Sequence, residues 1–187
     1  MEDPRYDPEL IKNGDRRNVT DEFRTMTVEA IKDELDKRRH GFHVAIENYQ
    51  HDFNIGTIVR NANAFNAAAV HVIGRRHWNR RGAMVTDRYM HVLHHPDIES
   101  FKRHVGDLAI VGIDNVAGSV PLAKTGLPTS AVLVFGGEGP GLSAEMLSAC
   151  EQVIAIEQFG STRSVNVGVA SGIVMYEWVR RHVLDVA

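Results

Sequence analysis

Five short, nearly uninterrupted apolar runs do most to limit what this chain can become: FHVAI at 42–46, AAVHVI at 68–73, LAIVGID at 108–114, AVLVFG at 131–136 and VIAI at 153–156. A strand with one wet face alternates apolar and polar residues, and these runs do not. Each therefore reads as a strand buried on both sides, the pattern of a parallel sheet. Segments with helical spacing lie between them, such as Val28, Ile31 and Leu35, then Ile55, Ile58, Val59, Ala62 and Phe65. Strands alternating with helices give an α/β fold with both sheet faces covered. In such sheets ligands bind beyond the carboxyl ends of the strands. Polar loops after residues 46, 135 and 156 fall at such ends, and chemistry is expected there.

The loop after residue 156 carries GSTRSVN: small residues, hydroxyls, an amide and one permanent cation. From Val165 the apolar positions Val165, Val169, Gly172, Ile173 and Tyr176 recur at helical spacing, and Ser164 is the natural cap of that helix. The loop after residue 46 leads to a helix capped by Asn54, with Arg60 six residues on and Asn66 suited to end it. GEGPGLSAEML reads as a glycine-rich loop opening a helix at Ser143. A further helix starts at Thr27 and stops before Gly41, and two more are expected near Met84–His91 and over Ile98–Val105. Residues 1–24 hold Pro4, Pro8 and Gly14 among many charges, which predicts a loosely ordered or partner-dependent arm.

At 187 residues and 43% hydrophobic composition, the chain can bury one sizeable core. No apolar run is long enough for a membrane span, and the acidic start MEDPRYDPEL does not resemble a secretory signal. One cysteine, Cys150, excludes an internal disulfide and fits a reducing cytoplasm. A formal charge of -3 argues against coating nucleic acid by bulk electrostatics. The basic residues are nevertheless grouped: Arg16 with Arg17, Lys37 with Arg38 and Arg39, and Arg75, Arg76, Arg80 and Arg81 around Trp78 in RRHWNRR. The last group, with an aromatic ring able to stack on a base, is the RNA-binding candidate. His91, His94 and His95 suggest a metal, but Pro96 ends the segment and Asp97 is the only nearby carboxylate, so no metal is expected.

Two competing readings come from the same residues. GPGLSA at 139–144 matches G-x-G-x-x-A between strand and helix, with Glu157 ending the next strand, as in a dinucleotide-binding oxidoreductase. That fingerprint opens a first βαβ unit, whereas only about thirty residues follow Glu157 here, so it reads as a decoy. A non-catalytic RNA-binding module would account for the basic aromatic loop. It leaves the polar residues at the strand ends without a role.

Taken together, NIGTIVRNANAF, FGGEGPGLS and IEQFGSTRSVNVGVASGI resemble the three motifs of the SpoU, or TrmH-like, branch of the SPOUT RNA methyltransferases, over roughly residues 42–180. The resemblance implies a parallel-sheet α/β knot with a C-terminal trefoil, and a division into an N-terminal arm and helix (1–40) and a methyltransferase domain (41–187). It implies methyl transfer from S-adenosylmethionine to a ribose 2'-hydroxyl of structured RNA, by a cytoplasmic homodimer whose active sites lie at the subunit interface. The catalytic set it implies is Asn54, Arg60, Glu138, Ser164 and Asn166. The cofactor residues it implies are Ile113, Gly136, Ile156, Ser164 and Val165. Lacking the separate N-terminal RNA-binding domain of many ribosomal relatives, the sequence leans to tRNA over rRNA. Three positions depart from the family pattern: Asp52 and Glu157 replace prolines, and Gly137 replaces an asparagine. Glu157 stands near the cofactor loop, where a carboxylate would alter its shape or meet the methionine amino group. Arginine, with a pKa above ~12, is a poor base and a good phosphate clamp, so both roles stay open for Arg60.

Overall fold

A computed structural model describes residues 3–49, 54–137 and 139–184. Its centre is a seven-stranded sheet in the order β3-β2-β1-β6-β4-β7-β5. The strands are β1 (Phe42–Asn48), β2 (Val70–Gly74), β3 (Val92–His95), β4 (Ala109–Ile113), β5 (Val120–Pro121), β6 (Ala131–Phe135) and β7 (Gln152–Ala155). Every pairing is parallel. The helices are α1 (Pro8–Asn13), α2 (Val28–Asp36), α3 (Ile55–Ala64), α4 (Ile98–Val105), α5 (Ala144–Ala149) and α6 (Val167–His182).

The apolar runs explain the layering. Along β6, Ala131, Leu133 and Phe135 face the layer of α3 and α6, with Ile58, Val59, Val174, Met175 and Trp178. The alternate residues Val132 and Val134 face α4 and α5, with Ile98, Phe101 and Met146. Both faces of the strand are dry, which is why its sequence shows no polar alternation.

Three expectations need correction. No helix forms over Met84–His91; two 3₁₀ turns, Arg81–Ala83 and Thr86–Tyr89, stand there instead. Met84 and Val85 between them have φ of 48° and 68°, a left-handed pair that no α-helix continues through. The strand β3 that follows was hidden because its residues, VLHH, carry two imidazoles in place of apolar side chains.

The third correction concerns residues 3–24, which fold against the rest of the chain. The Asp15 side chain is fully buried and pairs with Arg17 at 2.6 Å. It also accepts from the backbone N–H groups of Arg17 and Thr25. These bonds, led by the Arg17 guanidinium, hold its carboxyl well below the ordinary range. Phe23, Met26, Ala30, Ile31 and Tyr89 form a small separate core that docks this module on the second 3₁₀ turn. Arg39, grouped by sequence with surface cations, has a side chain only 8% exposed. It bonds Asp36 and the carbonyls of Ala67 and Tyr89. Arg17 and Arg39 are therefore structural.

The three adjacent strands β1, β2 and β3 place His43, His71 and His95 side by side. His43 Nδ1 lies 3.0 Å from His71 Nε2, and His71 Nδ1 lies 2.9 Å from His95 Nε2. A neutral imidazole donates through one nitrogen and accepts through the other, so the chain runs in one direction. His104 and Phe101 of α4 close it edge-on. Burial, then the neighbouring imidazoles, push His71 down to about 3, and burial lowers His43 and His95 as well. Between that value and the unfolded value near ~6.5, the unfolded chain binds more protons than the native one. Stability is thus full above pH ~6.5 and falls as the pH drops, by up to about 1.4 kcal/mol per pH unit from His71 alone. Urea melts from pH 7 to pH 4 should show that slope, and His71→Phe should flatten it.

Candidate active site

At the carboxyl ends of β4, β6 and β7, three loops enclose a cavity of about 650 Å³. The loop after β4 contributes Asp114, Asn115 and Val116; that after β6, Gly136, Gly137, Gly139, Pro140 and Gly141; that after β7, Ile156, Gln158 and Arg163 to Asn166. The structure brings Ile113, Gly136, Ile156, Ser164 and Val165 together on this one wall system.

The glycine-rich loop is shaped by close packing. A Cβ on Gly136 would stand 2.1 Å from the Gly141 carbonyl carbon and 2.4 Å from Leu142 N. Gly137 and Gly141 bridge antiparallel, and Gly141 has φ of 70°. Asp114 accepts from Leu142 N at 2.8 Å, which pins the loop to the end of β4. Glu47, 3% exposed at the end of β1, accepts from Ser143 N at 2.8 Å and Ser143 Oγ at 2.7 Å. Ser143 also caps α5, as its sequence position predicts. The GPGLSA run therefore serves the loop's own folding, and the helix it opens has only six residues.

The third loop ends on Asn166, not Ser164, as the cap of α6. Asn166 Oδ1 accepts from Gly168 N at 2.9 Å and Val169 N at 3.3 Å, so the helix starts two residues later than the apolar spacing suggests. Its amide donates to Asn54 Oδ1 at 2.9 Å. Asn54 stands at the N-cap position of α3 but makes no capping bond with its side chain. The first and third sequence motifs thus meet through two amides. Behind them Asn61 Nδ2 donates to Gly168 O and Ser171 Oγ, both at 2.9 Å, and Thr57 packs on Gly168.

Arg60 lies outside the cavity, exposed, and makes no hydrogen bond or ion pair with a described residue. At ~100° per residue it sits about 60° round the helix from Thr57, on the solvent side of the α3–α6 pair. Glu138 lies outside the described residues. The Glu157 carboxylate turns away from the cavity and accepts from Ala123 N at 3.0 Å. Of the basic loop, Arg75, Arg76 and Arg81 are exposed. Arg80 pairs with Asp87 at 3.3 Å and covers the Trp78 ring at 5.5 Å. Trp78 is half-buried and also packs on the core.

Other histidines are accounted for by ordinary partners: His91 meets Asp36 at 2.9 Å and His94 meets Gly74 O at 2.8 Å. Sequence reasoning missed Glu47, Asn61, Asp114, Asn115 and Gln158. Asp114 and Asn115 follow directly on a buried strand, which was the available signal. Asn115 Nδ2 donates to Arg163 O at 3.0 Å, tying the first loop to the third.

The SpoU rRNA Methylase family profile matches residues 41–176, and the chain belongs to that family. An uncharacterized tRNA/rRNA methyltransferase of Archaeoglobus fulgidus is 30% identical over 145 residues, covering 75% of this chain and 65% of that one. The 23S rRNA (guanosine-2'-O-)-methyltransferase RlmB of Neisseria meningitidis is 37% identical over 75 residues, 40% of this chain and 30% of its own. Among solved structures, the AdoMet-bound rRNA methyltransferase of Sinorhizobium meliloti superposes with a TM-score of 0.68 at 25% identity, over 80% of this chain and 60% of that one. The chain spans 65% of the Archaeoglobus protein's length, and 46% of that of a Mycolicibacterium smegmatis relative. The seven-stranded parallel α/β fold is that of the SpoU methyltransferases.

Proposed function

We propose that the protein transfers a methyl group from S-adenosylmethionine to a ribose 2'-hydroxyl of structured RNA. The observation that carries this reading is the strand-end cavity, where the second and third motifs meet and from whose rim Asn166 reaches Asn54 of the first. Its volume falls within the range of small-molecule sites, ~300–1,000 Å³. Bound there, the cofactor would supply the methyl group on a sulfonium. The chain's part is to hold that methyl in line with a ribose oxygen and to help the hydroxyl proton leave. Ile113, Gly136, Ile156 and Val165 would form the cofactor's walls, with Ser164, Asn166, Asn54 and Glu138 toward the RNA. Arg60 would act on the RNA side, as base or phosphate clamp. Exposed Arg75, Arg76 and Arg81 would track the RNA backbone.

Incubation with tritiated S-adenosylmethionine and either tRNA or rRNA transcripts tests the reading, with tRNA the substrate expected first. Label in a nucleotide resistant to alkaline cleavage is the expected product, because a 2'-O-methyl blocks that cleavage. Label released as a methylated base would sink the ribose assignment, and RNA binding with no label at all would favour the non-catalytic module.

The same reading makes the protein a homodimer, with the C-terminal segment threaded as a knot. Val169, Ile173 and Tyr176 are 54%, 40% and 51% exposed along α6, whereas Trp178 is buried at 2% and belongs to the core. The stripe Val169, Ile173 and Tyr176 therefore faces outward, and Val165, before the helix, lines the cavity instead; the buried face is Ala170, Ser171, Val174, Met175 and Trp178. A contiguous apolar stripe at the site's edge suits a second copy. Light scattering should give twice the chain mass at micromolar concentration, and Ile173→Asp with Tyr176→Asp should halve it. A monomer in the wild type would overturn the dimer. No helix among the described residues is long and apolar enough to cross a membrane, and we place the enzyme in the cytoplasm with its RNA.

A further inference from the structure

Gln158 borders the cavity, and its carbonyl oxygen Oε1 is buried without a hydrogen-bond partner among the described residues. An acceptor shut off in this way costs ~1–3 kcal/mol, and native proteins keep few of them without cause. The neighbouring polar side chains are already engaged. Asp114 receives Leu142 N and Asn115 N, Asn115 holds Arg163 O, and Asn166 caps α6. Among the described residues that line the cavity, Gln158 is the one whose side chain holds a buried polar atom with its bonding still to be made.

Its chemistry selects the partner. The methionine half of the cofactor carries an ammonium and a carboxylate, which call for charged groups such as Arg163 on the same wall. A neutral amide suits the nucleobase: a glutamine presents an acceptor and a donor side by side, matching the amine and the adjacent ring nitrogen of adenine. Ile113, Val116 and Ile156 supply apolar surface for a flat ring. The terminal amide torsion of glutamine is broad, so turning Oε1 toward the cavity is cheap. We infer that Gln158 reads the adenine of S-adenosylmethionine, accepting from its exocyclic amine. This rests on the cavity being the cofactor site.

The test compares two ligands on the full chain by titration calorimetry: S-adenosylhomocysteine, and its counterpart with hydrogen in place of the adenine amine. The wild type should prefer the amine by about tenfold or more, because its absence leaves a buried acceptor unpaired. In Gln158→Met and Gln158→Leu the preference should shrink to within about threefold, since a thioether accepts only weakly and leucine not at all. Both ligands are read on the same sample, so a general loss of stability cancels in the ratio. An undiminished preference in both variants, or none in the wild type, would overturn the inference while leaving the cofactor site standing. A wild type that binds neither ligand would overturn the cavity's assignment and the inference with it.

Discussion

Arg60→Ala is expected to lower turnover by about a hundredfold or more, the scale of a lost acid/base or phosphate-holding group, while S-adenosylmethionine affinity should stay within about twofold. The geometry separates these two readouts. Arg60 is exposed on the solvent side of α3 and is absent from the cavity wall, so removing it disturbs nothing the cofactor would touch. It also has no bond to a described residue, so its loss should be silent for stability within about ±0.5 kcal/mol. Arg60→Lys divides the roles: a phosphate clamp keeps partial activity, because an ammonium still pairs with phosphate without the bidentate fork. Single-turnover kinetics beside cofactor titration makes the measurement. Loss of cofactor binding as severe as the loss of turnover would place Arg60 on the wrong side of the site.

Gly136→Ala should be the most damaging small substitution in the cavity wall. The added methyl would meet the Gly141 carbonyl carbon at 2.1 Å, its oxygen at 2.3 Å and Leu142 N at 2.4 Å. All three are backbone atoms, so no side chain can swing aside, and the glycine-rich loop must part from the end of β6. A cost of at least about 3 kcal/mol follows, with cofactor binding lost. Gly126→Ala is the control, since nothing lies within 4 Å of its added carbon. Thermal melting and calorimetry on the two variants check this, and a Gly136→Ala protein that melts like the wild type would mean the loop is not packed as described.

The fold was legible where one physical term dominated. Apolar runs marked the strands β1, β2, β4, β6 and β7, because most of their side chains pack in the core and the polar exceptions, such as His43, Glu47 and His71, are few. Residues Ile98–Val105 were legible because Asp97 and Ser100 form a capping box before an apolar face, and Asn66 because it takes φ of 49° at the helix end. Legibility failed where a residue's role depends on a distant partner. Asn166 caps α6 and meets Asn54, 112 residues away, which no local window reveals. Histidines on β2 and β3 look polar in sequence yet pack as a neutral chain. Asp15 and Arg17 look like arm charges yet close a buried pair. The outward stripe on α6 has the same helical period as a core-facing one, and only packing distinguishes them.

The strand order β1-β6-β4 also constrains how the molecule can be made. Strand β6, residues 131–135, pairs with β1 on one side and β4 on the other. Until it leaves the ribosome, the segments before it expose two unpaired parallel edges rich in Val, Ile and Phe, which are templates for aggregation. Such long-range parallel pairing forms slowly, because chain closure comes before its contacts. The N-terminal module carries its own small core of Phe23, Met26, Ile31 and Tyr89. Strands β1, β2 and β3 can pair as they emerge, but β4 has no partner until β6 and β7 are made, so a nascent chain paused near residue 130 would be the species most in need of a chaperone.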